Sequence, residues 1–165
     1  MGSREARILD PVGPNTDPWE SAWRSHAVTM LRFATVLVGP HDAHDIATRA
    51  FVRVMNRTDL DGVEHVDRYL LRAVRNEAHN QFRRRRRRWQ RDLSAVGADV
   101  SHDPVPDVDL LRAVADLSVH QRSVVFLAYW QDLTESEIAE TLGVARSTVH
   151  RTLVRARSRL RKALS

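Results

Sequence analysis

The sequence predicts an all-α fold: two small helical domains joined by an acidic flexible linker, the C-terminal one carrying a helix-turn-helix. Three observations lead there. Apolar residues recur at helical spacing in both halves of the chain. Between the halves, Asp92, Asp99, Asp103, Asp107 and Asp109 fall in a stretch without Lys or Arg, and Gly97, Pro104 and Pro106 interrupt any continuous helix there. Finally, LTESEIAETLGVARSTVHRTLVRARSRLRKAL, from Leu133 to Leu164, reads as a helix, a turn at Gly143 and a second helix. The predicted bounds are a disordered start over 1–16, a first domain over 17–91, the linker over 92–107 and a second domain over 108–165.

The first helix is marked by Trp19, Trp23, Ala27, Met30, Leu31, Ala34 and Leu37, and it stops at Gly39-Pro40. A second begins near Asp42, with Ile46, Ala47, Ala50, Phe51 and Val54 on one face, and ends before Asp59 to Gly62. The third runs from about Val66 through Tyr69, Leu70, Ala73 and Val74 into six consecutive arginines, Arg83 to Arg88, flanked by Phe82 and Trp89. Three helices of this length can share one core, and their aromatic and Met residues are read as packing rather than cofactor contacts. The arginine run has three readings: a solvated helix end, a localisation signal, or a phosphate clamp. Adjacent like charges repel one another and a polyanion offsets that cost, which favours the clamp.

In the second domain Thr134 and Glu137 have the spacing of a capping box, and Glu135 and Glu137 suit the positive end of the helix dipole. Ile138, Ala139 and Leu142 form the apolar stripe, Gly143 permits the turn, and Val144, Val149 and Leu153 continue the buried face. Arg146, Ser147, Thr148, His150 and Arg151 then occupy the part of the second helix that enters the major groove, and Arg155 extends them. Any amphipathic helical hairpin has such a stripe, and a charged face is usually just solvated. Sign argues otherwise: from Arg146 through Arg151, Arg155, Arg157, Arg159, Arg161 and Lys162 there is no carboxylate.

With 165 residues and 42% hydrophobic content, the chain can build modest cores. The net charge of +5 favours an acidic polymer as partner. Lys162 is the only lysine among 26 basic residues; Arg suits bidentate phosphate and guanine recognition, but a GC-rich genome is the favoured explanation of the bias. Zero cysteines exclude disulfides, thiolate zinc sites and thiol redox sensing within the chain. No apolar run is long enough to cross a bilayer and the start lacks a signal-peptide core, so a soluble, cytoplasmic protein without membrane insertion is expected. There is no phosphate-cradling glycine loop, nucleophile elbow or metal-ligand set; His41 and His44 lack a third ligand. Neither catalysis nor a cofactor is expected.

Taken together, these segments resemble a bacterial extracytoplasmic-function (ECF) RNA polymerase sigma factor of the sigma-70 superfamily, over roughly Trp19 to Leu164. HDAHDIATRAFVRVM resembles the family's polymerase-binding helix, and YLLRAVRNEAHNQFRRRRR the helix that engages the minus-ten promoter element. DLSVHQRSVVFLAYWQDLTESEIAETLGVARSTVHRTLVRARSRLRKAL resembles the domain reading the minus-thirty-five element. The flanks make this match more specific than a helix-turn-helix alone.

The resemblance implies that Asp42, Asp45, Arg49 and Arg53 dock on core RNA polymerase. It implies that Arg72, Arg75, Asn76, His79 and Asn80 meet the opening nontemplate strand, with a flipped base held by the 56–64 loop. Arg83, Arg84, Arg86 and Arg87 would grip the neighbouring backbone. The acidic linker would thread the polymerase cleft as a nucleic-acid mimic or serve as a plain tether, and an anti-sigma factor is an implied partner. The chain departs from the family at His44, Thr48 and Arg49 on helix two, at Tyr69 in place of tryptophan, and at Ala145 in place of a serine cap. Two other functions fit the residues: a dimeric helix-turn-helix regulator acting without polymerase, and a sigma-like interaction protein.

Overall fold

The computed structural model describes residues 17–57, 59–91 and 108–165, with the side chains of 86–91 and 108–111 left out of the description. The expected disordered start and acidic linker lie outside the described residues. Among those described there are seven α-helices, one short 3-10 turn and no strand.

The helix α1 (Pro18–Val38) opens where the Asp17 side chain accepts a hydrogen bond from the Trp19 amide at 3.0 Å, with Pro18 in the first turn. It ends at Gly39, whose φ of +85° reverses the chain. Pro40 starts α2 (Pro40–Met55) immediately, slightly ahead of the sequence expectation, because its fixed φ suits the first helical position. Gly39 alone therefore separates two antiparallel helices. A 3-10 turn at Leu60–Gly62, capped by Asp59, leads into α3 (Val66–Arg91).

The C-terminal helices are α4 (Val108–Ala115), α5 (Val119–Tyr129), α6 (Glu135–Leu142) and α7 (Arg146–Ala163). Reciprocal capping boxes start α5, through Ser118 and Gln121, and α6, through Thr134 and Glu137. Gly143 adopts the left-handed conformation, φ +65° and ψ +41°, and closes α6. Ala145 stands at the N-cap of α7 with no side-chain bond.

The predicted apolar stripe of α2 is buried throughout, as are Met30, Ala34 and Leu37 of α1. Leu31, expected on the α1 stripe, is instead 39% exposed, whereas Phe33 is fully buried. The reason is a second apolar neighbour. Phe33 faces Phe126 of α5, with ring centroids 4.8 Å apart. Buried residues from α1, α2, α3, α5, α6 and α7 consequently form one contiguous cluster across both halves of the chain.

Arg122 ties this joint together through backbone carbonyls. Its guanidinium donates to Leu37 O at 2.7 Å, Leu117 O at 2.9 Å and Ala115 O at 2.8 Å, so it closes the ends of α1 and α4 at once. The last turn of α1 has no basic residue of its own, and Arg122 supplies the cation that its negative end favours. Burial lowers the Arg122 pKa, and Asp116 opposes that shift.

Candidate nucleic-acid interface

The polar surface of the helix-turn-helix is built by α6 and the first two turns of α7. Apolar contacts by Ile138, Leu142, Val149 and Leu153 fix the angle between these helices, all four side chains being buried. Arg146, Ser147, His150 and Arg151 are therefore turned to solvent, where with Glu135 they line a shallow concavity. Thr148 is half-buried and Arg155 exposed.

Glu135 organises this face. Its carboxylate meets His150 Nδ1 at 3.0 Å and lies 3.7 Å from Arg146 Nε. The hydrogen bond from His150, followed by the charges of His150, Arg146 and Arg157, holds the Glu135 carboxyl below its ordinary value. When Nδ1 donates to Glu135, the other ring nitrogen of His150 faces outward. Sequence reasoning read Glu135 only as a complement to the helix dipole. The distance of fifteen positions from His150 has no periodic signature within a single helix.

Along α7 the arginines divide by partner. Arg157 Nε donates to the Tyr129 hydroxyl at 2.6 Å and its guanidinium stands over that ring. Arg159 donates to Gln121 at 3.1 Å. Arg151 turns back to the Ser147 carbonyl at 3.3 Å.

On α3 the five residues assigned to promoter opening lie along one side of the helix, opposite Leu70, Val74 and Ala78 in the core. They do not share one environment. Arg72 and Asn76 are exposed, while Arg75, His79 and Asn80 are half-buried. Arg75 approaches His120 Nδ1 of α5 at 3.4 Å, and the Arg72 guanidinium lies against the turn at Gly143. Burial lowers the pKa of both His79 and His120, and Arg75 lowers each further. Arg83, Arg84 and Arg85 are exposed; the side chains of Arg86 and Arg87 lie outside those described.

The four α2 residues assigned to the polymerase all make ion pairs within the chain. Asp42 holds Gln81 at 2.9 Å and also Arg85 of α3. Asp45 and Arg49 pair with each other, and Arg53 lies 2.6 Å from the buried carboxylate of Glu77. Among the described residues no three His, Cys, Asp or Glu side chains converge as a metal site, and no helix is long and apolar enough to cross a membrane.

A three-helix unit bearing a basic helix, followed by a four-helix unit with a basic helix-turn-helix, defines the two-region class of promoter-recognition subunits. Residues 22–88 match the family described as sigma-70 region 2, and residues 107–160 match sigma-70, region 4. The chain belongs to the sigma-70 family of RNA polymerase sigma factors. It is 34% identical over 151 residues to an RNA polymerase sigma-E factor of Streptomyces avermitilis, covering 88% of this chain and 84% of that protein. It is 30% identical over 171 residues to the ECF RNA polymerase sigma factor SigE of Mycolicibacterium smegmatis, covering 96% and 66%. The fold is also similar, at a TM-score of 0.75 and 22% identity, to the sigma factor RpoE of Bartonella quintana, solved with the anti-sigma factor NepR; that likeness covers 88% of this chain and 96% of RpoE.

The chain is accordingly an alternative sigma factor, which binds core RNA polymerase and promoter DNA and directs transcription initiation. This is not a family of enzymes.

Proposed function

We propose that promoter selection is divided between α7, which reads the minus-thirty-five element, and α3, which engages the minus-ten element as it opens. The observation that carries this reading is the composition of the α7 face: Arg146, Ser147, His150 and Arg151 are solvent-facing at the groove-entering end of the helix, and no carboxylate follows on α7. Arg155, Arg161 and Lys162 continue the exposed cationic surface and suit phosphates. On α3, Asn76 and Asn80 supply amides for unstacked bases, and the arginines from Arg83 onward suit the adjacent backbone.

The outer face of α2, with Asp42, Asp45, Arg49 and Arg53, is the surface assigned to core polymerase. Because these groups already pair within the chain, docking there exchanges intramolecular ion pairs for intermolecular ones, which disfavours a very tight contact. The polymerase carries out the chemistry, and the protein acts in the cytoplasm. An anti-sigma factor is the proposed regulator, by analogy with the complex named for the Bartonella protein.

Each DNA contact is weak alone, and polymerase joins them so that the second binding step is intramolecular. Footprinting of the reconstituted holoenzyme on a mapped promoter tests the division. Two protected blocks are expected, the upstream one lost in Arg146→Ala; retention of both blocks in that variant contradicts the assignment of α7.

A further inference from the structure

Among the described residues that line the concavity at the start of α7, Glu135 is the one acid, and an acid is out of keeping with a DNA-reading surface. A phosphate backbone repels it. The first turn of α6 already has Glu137, which completes the capping box and suits the helix dipole, so the helix that Glu135 begins does not account for it. Its contacts lead to α7 instead. One carboxylate oxygen lies 3.0 Å from His150 Nδ1 and the other 3.7 Å from Arg146 Nε. The longer distance is an ion pair only, so of the two partners the imidazole takes the hydrogen bond.

We propose that Glu135 is a positioning residue that keeps a proton on His150 Nδ1, so that Nε2 meets the minus-thirty-five element as a hydrogen-bond acceptor and selects a base bearing an exocyclic amino group. The inference rests on the base-reading role given above to α7 and deepens it. An ionised carboxylate accepts hydrogen bonds and has none to donate, so its contact with Nδ1 places the proton on that nitrogen. In the neutral ring Nε2 is then an acceptor. Adenine N6 and cytosine N4 are the donors in the major groove, whereas guanine N7 and O6 and thymine O4 are acceptors. Arg146 and Arg151 carry donors only and read the second set. His150 therefore adds the complementary half of the groove code to the same turn of helix.

The charges around the ring keep this arrangement in place. Glu135 faces it from α6, and Arg146 and Arg151 line the same concavity from its own helix. Arg157, whose Nε donates to the Tyr129 hydroxyl of α5, acts on Glu135 together with Arg146 and His150, and Glu135 stays ionised. At acid pH the imidazole takes its second proton on Nε2, and the acceptor is lost.

Holoenzyme reconstituted with core RNA polymerase and a promoter library randomised in the upstream element tests this. The base pair whose selection disappears in His150→Ala is the one that His150 reads. At that pair the adenine or cytosine is replaced by its analogue without the amino group, and the loss of holoenzyme binding beyond that of His150→Ala is measured. At about pH 8 the wild-type protein is expected to lose about three- to tenfold, and at about pH 6 this excess loss disappears. Glu135→Ala is expected to show no excess loss at either pH. Glu135→Gln is expected to restore it at the higher pH, because an amide carbonyl also accepts from Nδ1, whereas a role in the helix dipole fails equally in both variants. An equal excess loss with and without Glu135, an equal effect of Glu135→Ala and Glu135→Gln, or the same loss at both pH values overturns the proposal. If Arg146→Ala and His150→Ala both leave every upstream position as selective as before, α7 does not read the element, and that reading falls together with this inference.

Discussion

Glu135 and His150, on the two helices of the helix-turn-helix, share a 3.0 Å contact at the rim of the groove-reading surface. The carboxylate touches Arg146 as well, so one acidic side chain restrains two of the residues assigned to base recognition. Glu135→Ala releases both. Because base readers act through orientation, relative use of competing promoters is expected to change about three- to tenfold while polymerase affinity stays constant. Competition transcription on mixed promoters checks this, and an equal fall on every promoter would make Glu135 a stability element only.

The arginines of α7 should separate by position. Arg146→Ala and Arg151→Ala are expected to blur promoter choice, each base contact being worth about 1 to 3 kcal/mol of discrimination. Arg159 is held by Gln121 and sits away from the groove-entering end, so Arg159→Ala should weaken binding evenly and lower its salt dependence. Filter binding of holoenzyme across a salt series distinguishes the two patterns.

Acidity should destabilise the fold. Burial and Arg75 lower the pKa of His79 and His120, and His120 adds to the effect on His79; Arg72 bears on Arg75 from the same helix. The folded state therefore binds protons less readily than the unfolded one. Its stabilisation from the neutral imidazoles is complete above the ordinary histidine value of 6.5 and declines as the pH falls below it. The urea unfolding midpoint is expected to fall between about pH 7 and 5, and to fall less in His120→Gln.

Two stability changes follow from local structure. Ala145 leaves the α7 N-cap without a side-chain acceptor, so Ala145→Ser is expected to stabilise by about 1 kcal/mol. Phe126 is buried against Phe33, and Phe126→Ala is expected to cost about 3 to 5 kcal/mol. Urea unfolding followed by circular dichroism and by tryptophan fluorescence measures both.

The helix-turn-helix was readable in the sequence because its determinants are local: Thr134 and Glu137 three residues apart, Gly143 at the reversal, and a single-sign second helix. The α2 stripe was readable for the same reason. Phe33 was not, since its burial depends on a helix about ninety positions away, and Arg122 caps α1 from a similar distance without any local trace. Expecting an apolar stripe that faced a single core also placed Leu31 inside, where the structure turns it outward. The site residues followed the same rule. The solvent-facing placement of Arg146, Ser147 and Arg151 could be read from position in a helix, whereas Glu135 acquires its contacts to Arg146 and His150 only when the helices pack.

The division of promoter recognition is tested most directly by initiation in vitro with purified protein, core RNA polymerase from a GC-rich bacterium and fragmented genomic DNA with mapped starts. Discrete starts preceded by two spaced motifs are expected, with Arg146→Ala relaxing the upstream motif and Asn76→Ala the downstream one. Starts whose motifs are unchanged by either substitution, with polymerase binding intact, would contradict the assignment of α7 and α3.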